Sequence, residues 1–237
     1  MLVNCIAKTL DNKYGEVSCS MAKKALIVRG GWDGHQPIEV SELFREILEN
    51  EGFQVEISET LDAFLDVEKL KALDLIIPIW TMGKITHEQV MPVLEAVASG
   101  VGLAGCHGGM CDAFRECVHW QFMTGGQWVA HPGGVIDYRV NVTRPDDEVM
   151  AGITDFDYRS EQYYMHVDPS NEVLATTTFT GEHAPWIDGV VMPVVWKRRH
   201  GKGRVFYSSL GHAATEFENR DMATILRRGI NWAAREE

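Results

Sequence analysis

The sequence lacks three features that would assign it to common protein classes: a long apolar run, an excess of basic residues and paired cysteines. No apolar run approaches the roughly 20 residues that span a bilayer. The 22 lysines and arginines are outnumbered by 34 acidic residues, so the net charge is −12 with histidine neutral. A chain this acidic is repelled by phosphate backbones and by anionic lipid surfaces. We therefore expect neither nucleic acid nor a membrane as a partner.

The cysteines and the N-terminal residues indicate the cellular compartment in which the protein works. The five cysteines are an odd number and include no CxxC pair. That is typical of free thiols in a reducing compartment rather than of a disulfide framework or a zinc site. Residues 1–22 contain neither the basic nor the apolar segment of a secretory signal. We expect a cytoplasmic protein in which residues 1–22 form a poorly structured extension and residues 23–237 form a single domain.

In the first half of the chain, short apolar strands alternate with amphipathic helices, the first of which opens at Pro37. The strands are predicted at residues 25–29, 53–57, 73–80 and 102–105. Such alternation favours a parallel sheet with helices on both faces. Ligands of these sheets bind beyond the carboxyl ends of the strands, near the point where the strand order reverses.

Beyond Gly125 the helical patterns give way to strand patterns. Strands are predicted at residues 135–142, 162–167, 173–178, 190–196 and 204–209. We interpret them as an antiparallel extension of the same sheet or as a hairpin-rich insertion. One more helix is predicted after Asn219, a residue type that caps helix N-termini.

The fourth predicted strand runs into Gly105-Cys106-His107-Gly108-Gly109. This segment has the G-x-X-x-G form of a tight turn between a strand and a helix. Such a turn projects its central side chain over the sheet and points helix N–H groups at whatever binds there. In hydrolases and amidotransferases the central residue is serine or cysteine. Here it is His107, which makes this imidazole a candidate functional group.

Five segments, in this order, resemble the ThuA-like family, which is named for trehalose utilisation. They are GGWDGHQP (30–37), GCHGG (105–109), GGQWVAHPGG (125–134), EQYY (161–164) and GKGRVFYSSLGH (201–212). The resemblance extends from about Lys23 to the C-terminus. It implies a flavodoxin-like three-layer α/β/α sandwich, similar to class I glutamine amidotransferases. In this fold a mainly parallel central sheet would carry an antiparallel extension in the C-terminal half. The resemblance also implies a carbohydrate substrate, such as an oxidised (keto) disaccharide.

Glutaminase activity is not expected, although the fold is that of an amidotransferase. That class needs a cysteine at the centre of the turn, a histidine after a late strand, and an acid two residues beyond that histidine. His212 matches the histidine, but His107 replaces the cysteine and Ala214 stands in place of the acid. An imidazole cannot replace a thiolate as the nucleophile of that reaction.

The favoured hypothesis is acid–base chemistry on a sugar derivative. His107 and His212 would exchange protons, because imidazole titrates near neutral pH, and Glu161 would orient or assist them. Aromatic faces stack on sugar rings while neighbouring polar groups bind the hydroxyls. The predicted substrate-binding residues are Trp32, His35, Trp80, His131, Tyr164, His166 and Trp196.

Two alternatives stay open. The histidines and Glu161 could hold a divalent metal ion, but no H-E-x-x-H or similar spacing predicts one, so no cofactor and no metal ligand is assigned. Alternatively, the chain could be a non-catalytic sugar or metabolite sensor on an amidotransferase scaffold that lost its nucleophile. Self-association is expected only because many cytoplasmic proteins are homo-oligomers.

Overall fold

The computed structural model describes residues 22–236, which form eleven strands and six α-helices. The strands are β1 (Lys24–Gly31), β2 (Gln54–Ser58), β3 (Leu75–Thr81), β4 (Gly102–Cys106), β5 (Gly126–Ala130), β6 (Val135–Val142), β7 (Phe156–Glu161), β8 (Tyr164–Val167), β9 (Glu172–Thr178), β10 (Val191–His200) and β11 (Gly203–Ser208). The helices are α1 (Pro37–Asn50), α2 (Val67–Lys71), α3 (His87–Ser99), α4 (Gly108–Cys111), α5 (Val118–Thr124) and α6 (Arg220–Ala233). Except for Ala22, the predicted N-terminal extension lies outside the described residues.

Nine strands form one mixed sheet in the order β2-β1-β3-β4-β11-β10-β9-β6-β7. The first five strands are parallel. The other four are antiparallel to their neighbours and extend the sheet on one side. β5 and β8 pair separately as a two-stranded sheet. The predicted parallel sheet with an antiparallel extension in the C-terminal half is therefore confirmed.

Alternating residues of the parallel strands bury the two faces of this sheet against different helices. Ile27 and Ile77 point to the face covered by α1 and α6, whereas Leu26 and Ile76 point to the face covered by α2, α3 and α5. Since both faces are covered, nearly every residue of the inner strands β3 and β4 is apolar. Each such side chain contributes about 2 kcal/mol when it is fully buried. Among the described residues, no helix is long and apolar enough to cross a membrane.

The helix that follows each strand begins and ends on local signals. α6 starts at Asn219, whose side chain accepts the N–H groups of Asp221 and Met222, as the sequence predicts. α3 starts with a capping box between Thr86 and Gln89.

Two strands, β5 and β7, and the short helices α2, α4 and α5 were not located from periodicity. In β7, Phe156, Tyr158 and Ser160 are buried while Asp157 and Arg159 are exposed, which is the alternation of a half-buried strand, but only two of its six residues are large and apolar. This strand matters for function because it ends at Glu161. The predicted strand at 162–167 is shorter in the structure and begins at Tyr164.

The order of the strands determines where a ligand can bind. From β1 the chain moves outward to β2 and then returns to the other side of β1 as β3. The strand order therefore reverses beside β1. The carboxyl ends of β1, β3, β4 and β11 lie at the same edge of the sheet, which is where α/β proteins of this type bind ligands.

Candidate active site

The turn after β4 has the predicted form of a strand-to-helix elbow. His107 stands between β4 and α4 with φ 48° and ψ −138°, a left-handed conformation that a non-glycine residue adopts at a cost of about 1–3 kcal/mol. The His107 N–H donates to the Ser208 carbonyl at 2.7 Å, and the Tyr207 hydroxyl donates to the His107 carbonyl at 2.9 Å. β11 thus holds the backbone of His107 in this conformation.

Glycine is required beside His107 because other groups approach the turn closely. A Cβ atom on Gly108 would lie 2.6 Å from the ring of His35, and one on Gly105 would lie 2.8 Å from Cβ of Met110. The absence of a Cβ atom on Gly108 lets His35 reach the elbow from the segment after β1, and its absence on Gly105 makes room for Met110.

Three imidazoles from separate segments converge on one carboxylate oxygen of Glu161 at this edge. The distance between His107 Nε2 and Glu161 Oε2 is 3.1 Å. His212 Nδ1 lies 3.3 Å from the same oxygen and 3.3 Å from His107 Nε2. His35 Nε2 is 3.9 Å from Glu161 Oε2. We name His35, His107, Glu161 and His212 the His–Glu cluster; one donor atom from each lies within 4.8 Å of the others.

The outer nitrogens of two cluster histidines are bound by neighbouring strands. His107 Nδ1 lies 2.8 Å from the carbonyl oxygen of Ser209. A carbonyl only accepts, so this nitrogen carries the proton of the neutral ring and Nε2 presents a lone pair to Glu161. Burial lowers the pKa of His107 to about 4. His35 Nδ1 lies 3.0 Å from the Thr81 hydroxyl at the end of β3.

The other two members of the cluster, Glu161 and His212, differ in charge. Burial disfavours a charged carboxylate, but the contacts with the surrounding imidazoles outweigh it and lower the pKa of Glu161 below its usual value. The hydrogen bond to Glu161 raises the pKa of His212. The cluster by itself therefore contains an ionised Glu161, a neutral His107 and a proton on His212 that faces both of them.

Three of the four donor atoms are spaced like the ligands of a tetrahedral metal ion, and the fourth, on His35, lies slightly farther out. Zinc binds nitrogen and oxygen ligands at about 2.0–2.2 Å, which places tetrahedral donor atoms about 3.3 Å apart. The three distances among His107, Glu161 and His212 are 3.1, 3.3 and 3.3 Å. His35 completes a set of three nitrogens and one oxygen, so the cluster could bind a divalent ion in place of the proton.

Solvent reaches the cluster from one side. The His107 side chain is only 2% exposed and its ring stacks on buried Tyr163, with 4.0 Å between ring centroids. The His212 side chain is 19% exposed and that of His131 is 35% exposed. His131 Nε2 lies 3.6 Å from Glu161 Oε1, the oxygen that faces away from the other histidines. A ligand therefore approaches between His212 and His131.

Of the predicted tryptophans at strand ends, one lies beside the cluster and the other does not touch it. Trp32 is 47% exposed and its ring lies edge-on to His35, with 4.8 Å between centroids. The ring of Trp80 packs directly against the backbone of Gly30 and Gly83, so closely that a Cβ atom on either glycine would overlap it. The structure thus places Trp32 directly beside the cluster, where a ligand could contact it.

Three other predicted binding residues lie apart from the cluster. Tyr164 packs edge-on against Phe179, and His166 is exposed on β8. The prediction for Trp196 is wrong, since its side chain is fully buried and its indole N–H donates to the Thr124 carbonyl at 3.0 Å. β10 lies inside the sheet, so an inward side chain at this position becomes core.

Several residues of the site have roles that their residue type alone does not predict. Thr81, Ser209 and Tyr163 act through contacts with His35 and His107 that only the fold creates. An acid is also present near His212: Glu216 accepts the His212 backbone N–H at 3.0 Å, four residues along instead of two. A search for acids within one helical turn of His212 would have found it.

The thiol next to the elbow centre does not supply a nucleophile. Cys106 is buried beneath the cluster, and burial raises its pKa to about 12. A thiol in that environment is protonated at neutral pH and inert. The reactive groups at this edge of the sheet are therefore imidazoles and one carboxylate.

Comparisons with known proteins agree with this fold. The family model named ThuA and described as trehalose utilisation matches residues 24–233. A search of curated proteins finds no match.

Solved structures from three bacteria share the architecture. A ThuA-like protein from Bacteroides uniformis has a TM-score of 0.76 at 19% identity, with 94% of this chain and 95% of that chain covered. One from Parabacteroides merdae has a TM-score of 0.73 at 19% identity, with 90% of each chain covered. A cytoplasmic protein from Salmonella typhimurium has a TM-score of 0.64 at 13% identity, with 90% and 100% covered. These likenesses show the fold, and the family model spans almost all of the described residues. The chain therefore belongs to the ThuA family of trehalose utilisation.

Proposed function

We propose that this protein is a metal-dependent enzyme, a hydrolase or lyase, that acts on a carbohydrate derivative at the His–Glu cluster. The observation that carries this proposal is the triangle of His107 Nε2, His212 Nδ1 and Glu161 Oε2, with sides of 3.1–3.3 Å. A cation bound between two ring nitrogens and an ionised oxygen at these distances would contact all three. A proton on His212 can lie along only one side of the triangle at a time, whereas a metal ion binds all three atoms.

The donor set and its surroundings favour a transition metal. Imidazole ligands suit zinc, copper, iron and nickel, while calcium and magnesium prefer oxygen ligands. Histidine ligands of metals usually donate their other N–H to a carbonyl or carboxylate. His107 does this to Ser209, and the hydroxyl of Thr81 bonds the outer nitrogen of His35. We use zinc as the test ion for these reasons.

A bound divalent ion supplies a Lewis acid that polarises a carbonyl or hydroxyl oxygen, or lowers the pKa of a bound water. The trehalose-utilisation family supports a sugar-derived substrate. Exposed Trp32 beside His35 offers an aromatic face on which a sugar ring can stack. The proposed reaction also requires a side chain that transfers a proton to or from the substrate and is not itself a metal ligand.

We assign that proton transfer to His131. Its Nε2 faces Glu161 Oε1 at 3.6 Å, its ring is partly open to solvent, and it lies outside the His–Glu cluster. Replacing it in a His131→Gln variant is expected to lower turnover by about 100- to 10,000-fold, the usual contribution of general acid–base catalysis, with bound metal unchanged. The matched control is His119→Gln, an exposed histidine on α5 with no assigned role, which should keep wild-type turnover. Wild-type turnover in His131→Gln would show that the assignment is wrong.

The proposed function is tested by metal analysis and sugar turnover together. Purified protein loaded with zinc is expected to contain one ion per chain by elemental analysis. It is then incubated with trehalose and with a keto-disaccharide derived from it, and products are followed by mass spectrometry. Turnover should disappear on chelation and return with zinc. Absence of bound metal would overturn the metal centre, and full occupancy without turnover of any sugar would leave a binding protein instead of an enzyme.

One observation favours a second candidate, metal-free acid–base chemistry on the same sugar. His212 has a raised pKa and lies 3.3 Å from both His107 Nε2 and Glu161 Oε2, so its proton could pass to a substrate that replaces one of these contacts. Turnover that survives exhaustive chelation, and that is lost in His212→Asn, would support this mechanism over the metal-dependent one.

Two predictions about the setting of the protein are also proposals. A cytoplasmic location is supported by the absence of a membrane-crossing helix among residues 22–236 and by the description of the Salmonella relative as cytoplasmic. Self-association has no support from the described residues beyond the general frequency of homo-oligomers.

A further inference from the structure

The loop that carries His212 has no regular secondary structure of its own. It runs from the end of β11 to a 3-10 helix at Ala214–Glu218. One atom, Oε2 of Glu216, accepts the backbone N–H of Gly211 at 3.2 Å and that of His212 at 3.0 Å. A single carboxylate oxygen therefore binds two successive N–H groups on the chain at the residue that donates a cluster nitrogen.

The same oxygen binds the strand that carries Glu161. The hydroxyl of buried Tyr158 donates to Glu216 Oε2 at 2.6 Å. Tyr158 lies on β7, three residues before Glu161. Glu216 thus joins the loop that carries His212 to the strand that carries Glu161. These two residues donate the atoms, His212 Nδ1 and Glu161 Oε2, that lie 3.3 Å apart in the cluster.

A second side chain ties this loop to another member of the cluster. Gln36, directly after His35, accepts the backbone N–H of Ala214 through its Oε1 at 2.9 Å. The loop is therefore fixed from two sides by acceptors on separate segments. Of these two acceptors, only Glu216 carries a charge, accepts three hydrogen bonds on one oxygen and contacts His212 itself.

We propose that Glu216 is a positioning residue that holds His212 at ligand distance from Glu161 and His107, an inference that rests on the proposed metal-binding function. Partners that orient metal ligands from outside typically change affinity by about 10- to 100-fold when they are replaced. Glu216 binds the backbone of the metal ligand His212. Its loss would therefore let the whole His212 residue move, and not only let its ring rotate.

The test measures zinc affinity by competition with a chromophoric chelator in wild type and four variants. Glu216→Ala is expected to weaken zinc binding by about 10- to 100-fold. Glu216→Gln keeps an accepting oxygen and should recover part of that loss, and Tyr158→Phe should show a smaller loss than Glu216→Ala. Glu218→Gln changes an exposed glutamate of the same 3-10 helix and should match wild type. Stoichiometry should stay at one ion per chain throughout.

Amide hydrogen exchange separates this inference from the proposed function. The amides of residues 211 and 212 should be protected in wild type and exchange rapidly in Glu216→Ala, whether or not metal is present. Unchanged exchange would overturn the positioning role even if wild type binds no zinc. If wild type binds zinc and Glu216→Ala loses thermal stability without losing affinity, Glu216 is merely structural and the inference is wrong.

Discussion

Replacing Glu161 with glutamine is expected to lower zinc affinity by about 1,000-fold or more, on the order of 4 kcal/mol, and to abolish the metal-dependent turnover. Glu161 provides the one negative charge of the His–Glu cluster, and every histidine of the cluster faces its Oε2 atom. Glutamine has nearly the same shape but no charge, and its amide offers a donor where the ion requires an acceptor. The change therefore removes both a ligand and the charge that offsets the ion.

The matched control for this variant is Asp157→Asn. Asp157 lies on the same strand, is exposed, and pairs with Arg139 at the surface. Its replacement also removes one negative charge from β7, so it corrects for the change in net charge and for any general effect on the strand. Isothermal titration with zinc gives both affinities. Equal affinity in wild type and Glu161→Gln would remove this carboxylate from the metal site, and with it the proposed centre.

Zinc affinity is expected to fall about tenfold for each pH unit below the raised pKa of His212, which amounts to about 1,000-fold over three units. His212 Nδ1 carries a proton in the cluster without metal, and that proton must leave before the nitrogen can bind an ion. His107 contributes no comparable dependence near neutral pH because its pKa is about 4. Glu161 has a lowered pKa and stays ionised over the same range.

The stability of the metal-free protein should depend on pH with the opposite sign. A histidine whose pKa is raised by folding stabilises the native state below its unfolded pKa, and this contribution is lost as the pH rises through the folded pKa. Above about pH 6.5, the unfolded pKa of histidine, His107 is neutral in both the native and the unfolded state, so His212 decides the sign. Chemical denaturation from there upward should show the stability of the metal-free protein falling with pH and the stabilisation by zinc growing with pH. Zinc affinity of His212→Asn should be weaker and should lose one proton from its pH dependence. A zinc affinity independent of pH between about 6 and 8 would contradict this account.

The arrangement of the central sheet could be predicted because it follows from local patterns. Apolar runs of strand length, a helix opening at Pro37 and a cap at Asn219 each depend on residues close together in the chain. β7 was not predicted, although Asp157 and Arg159 alternate with its buried residues, because only Phe156 and Tyr158 among its six residues are large and apolar. Its position at the end of the sheet is decided by pairing with β6, some twenty residues earlier in the chain.

The candidate site could be predicted only in part. His107 and His212 were identified from the turn and from the ThuA-like segments, and Glu161 from one of those segments. Trp196 was assigned to the site for its residue type, although a buried strand position makes a tryptophan part of the core. The contact of His35 with the elbow depends on the missing Cβ of Gly108, which is an effect of space and not of sequence distance.

The sequence by itself determined that this chain forms a parallel α/β sheet and that imidazoles, not a thiolate, occupy the elbow and the late-strand position. These properties reside in contiguous segments, where periodicity and residue type are sufficient. Only the tertiary structure decided that four donor atoms, from residues 35, 107, 161 and 212, come within 4.8 Å of one another. It also decided that Glu216 links two of their segments. The physical reason is that a metal-binding geometry assembled from four segments depends on distances of a few tenths of an ångström, and strand packing sets those distances while spacing along the chain does not.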